Sequence, residues 1–356
     1  MSNIYSNFIN ENCALPKTKK IGVYLGDVRK GTIEIPNHML APNGNKLYSF
    51  GAISDIHITN DTAQDDFKKA LTYMNDNVNF TCVCGDMTDL SYENEFILYR
   101  NIVNECLTKI PIYAIAGNHD RYRNQSNSYF SNYTGYPLFY SLGIASNGQC
   151  VASDVSKTPI AYDSNVKDVF IMVGHYRWVD TNAEDSFSNE EIQWLYETLE
   201  INRNKRCFVF NHVFPWGGSG NANGLYETNY LIGTKGDVFN NLLSHYKNTI
   251  LFHGHSHIKF DLQELDKKAN YSEILGYRSI HIPSLSVPRD LVGTSLTKVF
   301  ADSEGYIVDV YENQILLKGR DFVNNKWLPI AIYKIDTTLV NVPAKTFTDS
   351  TGTITI

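Results

Sequence analysis

The sequence predicts an α/β fold built on a largely parallel sheet, with a small β extension ahead of it. Three observations carry this expectation. Apolar runs rich in branched and aromatic residues alternate with helix-patterned stretches at about 30 residues per unit, the signature of βαβ construction. Several of these runs end abruptly in polar or charged residues, at the carboxyl edge where open α/β sheets bind ligands. Beyond residue 258 the pattern turns to strands with little helix between them.

Taken in order, residues 1–46 stand apart: Lys20 to Asp27 and Gly31 to Pro36 read as a β-hairpin. A lone hairpin is marginal in water, so it is expected to pack on the main domain, on a sister chain or on a partner, which makes it a candidate attachment or oligomerisation element. The main domain is expected over 47–335. It opens with a strand through Tyr48–Ser54, which ends in Asp55-Ile56-His57. Thr62 is expected to cap a helix through Asn77, with Phe67, Ala70, Leu71 and Met74 on one face. Strand Phe80–Cys84 ends in Gly85-Asp86-Met87-Thr88-Asp89, a second helix covers roughly 91–107, and strand Ile110–Ala116 ends in Gly117-Asn118-His119-Asp120. The aromatic stretch 121–168 interrupts the rhythm and is the candidate for substrate recognition. Strand Val169–Val173, a helix from Ser188, and strand Cys207–Phe210 follow, the last ending in Asn211-His212. A glycine-rich loop (216–224), a helix over 237–246 and strand Thr249–Phe252 lead to His253-Gly254-His255-Ser256-His257. Strands are then expected at 279–282, 305–311, 314–317 and 328–335, and a β-prone tail over 336–356.

Composition narrows the function. A net charge of −7 without a lysine- or arginine-rich block argues against nucleic acid as a partner, because phosphate backbones demand clustered cations. No apolar run approaches the roughly 20 residues of a membrane span, and no basic, apolar leader opens the chain, so a cytoplasmic protein without a membrane partner is expected. Six scattered cysteines suggest no disulfide framework.

The strand ends deliver Asp55, His57, Asp86, Asn118, His119, His212, His255 and His257, which include five of the ten histidines. Imidazole, carboxylate and amide without thiolate suit Mn, Fe or Zn. There are enough ligands for two ions with one carboxylate bridging, the arrangement that hydrolyses phosphate esters. Asp89 is expected to support a ligand, and His253 and His175 to belong to the core. Arg121 and Arg123 flank the site and could grip a substrate anion.

In order, Asp55-x-His57, Gly85-Asp86-x-x-Asp89, Gly117-Asn118-His119-Asp120, a lone His212 and Gly254-His255-x-His257 resemble the five motifs of the calcineurin-like metallophosphoesterases. That superfamily includes purple acid phosphatases and cyclic-nucleotide phosphodiesterases. The resemblance covers about residues 47–335 and implies a four-layer αββα sandwich, two mixed sheets flanked by helices. It implies that Asp55, His57 and His257 hold one transition-metal ion, that Asn118, His212 and His255 hold a second, and that Asp86 bridges them. It further implies attack on a phosphomonoester or phosphodiester by a metal-bridging hydroxide. His119 would then be the general acid, oriented by Asp120. The N-terminal hairpin, Gly319-Arg320-Asp321-Phe322 and Trp327-Leu328-Pro329-Ile330 resemble phage-encoded members. That implies an alternative role as a virion structural or attachment protein, with a virion or homo-oligomer contact through residues 1–46. A nuclease is the further alternative.

Overall fold

The computed structural model describes residues 18–25, 28–36, 42–123, 128–176, 187–213, 218–220, 235–264, 269–273, 275–292, 295–299, 302–345, 347–349 and 352–354. Strands β1 (Thr18–Leu25) and β2 (Val28–Pro36) form the predicted hairpin, with a bulge between Val23 and Tyr24. The main body begins with β3 (Tyr48–Ile53), α1 (Asp61–Asn77), β4 (Phe80–Cys84), α2 (Glu93–Cys106) and β5 (Ile112–Ile115). It continues through α3 (Ser128–Thr134), β6 (Phe139–Ile144), β7 (Cys150–Asp154), β8 (Asp168–Val173), α4 (Asn189–Ile201), β9 (Arg206–Asn211), α5 (Gly236–His245) and β10 (Thr249–His253). The short strands β11 (Tyr271–Ser272), β12 (Arg278–His281), β13 (Arg289–Val292) and β14 (Ser295–Lys298) precede β15 (Glu304–Val310), β16 (Gln314–Asp321) and β17 (Lys326–Asp336). A small ribbon, β18 (Phe347–Asp349) and β19 (Gly352–Ile354), lies in the tail.

Two mixed sheets dominate. One runs β17-β16-β15-β3-β4-β5 and the other β11-β12-β10-β9-β8-β6-β7. Strands β3, β4 and β5 are parallel in the first, and β8, β9, β10 and β12 in the second. Every residue of β3, β4, β8, β9 and β10 is buried. Strands covered on both faces favour apolar side chains on both, which is why these read as mainly hydrophobic runs, with polar residues such as Asp168, Arg206 and Asn211 at their ends. Between the sheets lies an aromatic core: the Phe50 ring meets Phe170, Phe208 and Phe252 at 5.2–5.8 Å. A second core packs the helices on the outer faces, including Phe67, Leu71 and Met74 of α1 and Trp194, Leu195 and Leu199 of α4. The predicted four layers are therefore present.

Some local expectations change. The cap of α1 is Asn60, whose side chain accepts from Ala63 N–H; Thr62 sits inside the first turn. The stretch 121–168 is no simple insertion, since it supplies α3 and two strands that extend the second sheet. Of the glycine-rich loop, only 218–220 lies within the described residues. Among the described residues, no helix is long and apolar enough to cross a membrane.

Candidate metal centre

The carboxyl ends of β3, β4 and β5 from one sheet face those of β9 and β10 from the other. Each of these strands releases its polar residues where its hydrogen-bonding ladder ends, so the ends of two sheets empty into one place. Asp55 and His57 follow β3, Asp86 follows β4, Asn118 and His119 follow β5, His212 follows β9, and His255 and His257 follow β10. All eight come together, and all but His119 are buried.

The backbone that presents them is unusual. Asp55, His57, Asp86, His255 and His257 all have positive φ, between 44° and 72°. Each such non-glycine residue costs on the order of 1 kcal/mol, and such costs gather at functional sites. Gly117 explains itself by contact: a Cβ there would lie 2.2 Å from Asp86 Oδ1 and 2.4 Å from the Asp86 backbone nitrogen.

Two donor sets share one carboxylate. Asp55, His57, Asp86 and His257 form the first, and Asp86, His212 and His255 the second. His257 Nε2 stands 3.0 Å from Asp55 Oδ1 and 3.2 Å from His57 Nε2. His57 Nε2 lies 3.6 Å from Asp86 Oδ2, and His212 Nε2 lies 3.7 Å from Asp55 Oδ1. In the second set Asn118 Oδ1 lies 3.0 Å from His255 Nδ1. Three imidazoles are oriented through their other nitrogen: His57 Nδ1 to Asp89 Oδ1 at 3.1 Å, His212 Nδ1 to the Cys84 carbonyl at 2.7 Å, and His257 Nδ1 to the Val287 carbonyl at 3.2 Å. Fixing Nδ1 in this way turns Nε2 toward the shared centre, as in histidine metal sites.

These residues fit metal ions on their own evidence. Asp86 Oδ2 and His212 Nε2, both buried, face each other at 3.1 Å, and among the described residues neither makes a hydrogen bond of good geometry. Ligand atoms about 2.0–2.2 Å from a tetrahedral ion stand roughly 3.3–3.6 Å apart, close to the spacings found here.

Electrostatics point the same way. Burial alone would raise the Asp55 carboxyl, but His257 and His212 hold it well below the usual carboxylate range. Asp86 is likewise driven down against its burial, by His212 and His119. Burial opposes a charge on His212, yet Asp86 and Asp55 push it up to about 10. Burial and the His212 charge depress His255. Burial brings His257 down to about 4. A proton on His212 thus balances the two carboxylates, and an entering cation would displace it.

The neighbours divide differently from expectation. Asp120 does not orient His119. Its carboxylate accepts from Gly117 N–H at 2.8 Å, from Thr88 N–H and Oγ1 at 2.9 Å, and from Met87 N–H at 3.3 Å. It therefore clamps the loop after β4 to the loop after β5. His119 Nδ1 instead meets the Asp89 carbonyl at 2.6 Å, and its N–H donates to Asp86 Oδ1 at 2.8 Å. With a third of its side chain exposed and its ring 4.7 Å from that of His57, His119 stands at the mouth of the centre. It also belongs, with His57 and Asp89, to a third, more open donor trio. Arg121 is buried and donates to the Tyr176 carbonyl, while Arg123 is exposed and lies over the Tyr92 ring at 5.0 Å. His253 is buried with its Nε2 2.8 Å from Ser219 Oγ and 3.2 Å from Ser279 Oγ, a polar core contact behind the ligands. His175 is buried as well. The helix-capping Asn60 and the Thr88 hydroxyl were not singled out from sequence; the first accepts from the Ala63 backbone N–H and the second donates to the Asp120 carboxylate.

Two packed mixed sheets with a buried aspartate–histidine cluster at their common edge form a candidate metal-binding centre. The chain belongs to the calcineurin-like phosphoesterase family, whose model matches residues 48–259. None of the curated proteins matches. Among solved structures the chain is similar to GAP50, described as the anchor in the inner membrane complex of Plasmodium. The identity is 14% and the TM-score 0.53, over 83% of this chain and 89% of that one. It is also similar to a predicted phosphoesterase of Streptococcus pneumoniae (12% identity, TM-score 0.37, 81% of this chain and 97% of that one). Zinc-complexed Vps29 from Entamoeba histolytica matches at 9% identity and TM-score 0.34, over 82% and 99% of the two chains.

Proposed function

We propose that the protein hydrolyses phosphate esters, monoesters or diesters, with two transition-metal ions of the Mn, Fe or Zn type. The observation that supports this best is the pair of buried donor sets sharing Asp86. Asp55, His57 and His257 would hold one ion, Asn118, His212 and His255 the other, and Asp86 both. When bound, such ions lower the pKa of water to make a nucleophile near neutral pH and stabilise charge on the phosphoryl oxygens. The chain's own residues do the rest. Asp86 is held from one side by His119 N–H, which leaves Oδ2 directed to the cluster. His119, at the open face, delivers a proton to the leaving oxygen, and the Asp89 carbonyl at its Nδ1 sets the ring's orientation. Burial of the ligands excludes bulk water from the cluster and strengthens every charge interaction within it.

The test joins elemental analysis of protein purified without chelator to turnover of p-nitrophenyl phosphate and bis-p-nitrophenyl phosphate. Bound transition metal and metal-dependent release of nitrophenol are expected. A fully folded chain that neither carries nor takes up Mn, Fe or Zn would overturn the reading.

A further inference from the structure

A cavity of about 540 Å³ opens beside the centre, with the metal-ligand candidate His57 and its partner Asp89 forming one wall. The start of α1 forms a second wall through Asp61 and Thr62. Val287 lies on the loop before β13, and Lys298 at the end of β14 closes the far side. None of the five sequence motifs reaches β14 or the 284–287 loop, and no role has been assigned to this space. Its volume falls within the range of small-molecule sites.

We propose that this cavity binds the organic part of the substrate, and that this part is a polyol or sugar. The proposal rests on the phosphoesterase reading above. Its argument is the chemistry of the walls. Among the described lining residues the His57 imidazole is the one aromatic ring, so these walls offer a nucleobase or aryl group little to stack on. Val287 and Ala63 are the apolar side chains among them, too few to cover an acyl chain. A second phosphate would meet the carboxylates of Asp61 and Asp89 against one ammonium among the described walls, that of Lys298. Hydroxyl groups satisfy the same walls in both senses: each donates to a carboxylate and accepts from Lys298 Nζ or the Thr62 hydroxyl. A site built of such groups discriminates against a ligand lacking hydroxyls, because its polar atoms would then be left without partners.

Glycerol 3-phosphate and n-propyl phosphate share a three-carbon skeleton and differ in their hydroxyls, which makes them the test pair for the Mn-loaded full-length protein. p-Nitrophenyl phosphate serves as the reference for hydrolysis itself. We expect kcat/KM for glycerol 3-phosphate to exceed that for propyl phosphate by about tenfold or more. The ratio should fall to within about threefold of unity in an Asp61→Asn, Lys298→Met variant, and should drop partway in Thr62→Val; all three side chains are exposed, and circular dichroism checks that the variants fold. Turnover of the nitrophenyl ester with equal use of both alkyl esters overturns the proposal and leaves the phosphoesterase reading intact. So does a preference that survives the double variant. If neither these esters nor bis-p-nitrophenyl phosphate is turned over, the phosphoesterase reading fails. Calorimetric binding of the same two esters then decides, and equal affinities overturn the cavity assignment.

Discussion

At the scale of single residues, two carboxylates of one loop separate by what they touch. Asp86 stands in both buried donor sets and is fully buried, whereas Asp89 is partly exposed and touches the cluster from outside, its carboxylate on His57 and its carbonyl on His119. Asp86→Ala is expected to lower activity by at least about 10³-fold and to reduce metal content at both sites. Asp89→Ala should cost about 10–100-fold, the usual effect of removing a group that orients a ligand. Metal content and turnover measured on the same preparations check both figures. His119 differs from the ligands in exposure and partners, and its replacement should differ in kind. His119→Ala is expected to retain metal and to lose about 10²–10⁴-fold on an alkyl phosphate, with a smaller loss on a nitrophenyl ester whose leaving group needs little protonation. Equal losses on both esters, or loss of metal, would show that His119 is a phosphate clamp or a ligand and not the acid, the second role being open to it through the trio with His57 and Asp89.

At the scale of elements, the loops after β4 and β5 behave as one unit. Asp120 ties Gly117 to Met87 and Thr88, and Gly117 lets Asp86 lie against its backbone. Gly117→Ala places a methyl group into backbone as well as side chain, so relaxation must move the whole loop. The expected cost is about 1–3 kcal/mol in urea unfolding, with a drop in metal content in the folded fraction. The strands feeding the centre were legible in the sequence because burial on both faces favours mainly apolar runs, and the ligands were legible because they follow those runs directly. Strands β6 and β7 were not. Their residues mix aromatic, aliphatic and polar types without an unbroken apolar run, and β6 owes its place to antiparallel pairing with β8 some thirty positions onward. Pairing over that distance leaves no local periodicity. The role of Asp120 was missed for a related reason: proximity in sequence to His119 suggested a partner, while the fold offered it four donors from elsewhere. The left-handed conformation of five ligands is likewise a tertiary property, since nothing in an isolated Asp or His requires it.

At the scale of the whole molecule, two buried carboxyls outside the donor sets tie stability to pH. Burial raises Glu304, which accepts from Phe260 N–H, to about 8, and raises Glu191, in the capping box of α4, to about 7. Each keeps a proton in the folded chain that the unfolded chain gives up near pH 4.5. Their contribution is therefore complete below that pH and is lost as pH rises toward 7 and 8. Relative to the parent, Glu304→Gln should gain on the order of 1–3 kcal/mol between pH 5 and pH 8, read from urea unfolding at each pH. A parallel pair of curves would place no titration at Glu304. The centre has a different global signature. His57 and His257 are separated by 200 positions, yet their Nε2 atoms meet at 3.2 Å, and the ligands between them come from both sheets. Neither of the two buried donor sets is contained in a local piece of the chain, and contacts of such high order form late. Refolding followed with Co(II) in solution should therefore show ligand-field absorbance rising after aromatic fluorescence has recovered, so that the metal acts as a clock for the docking of one sheet on the other. Absorbance that rises first would mean that the ion nucleates folding instead of reporting its completion.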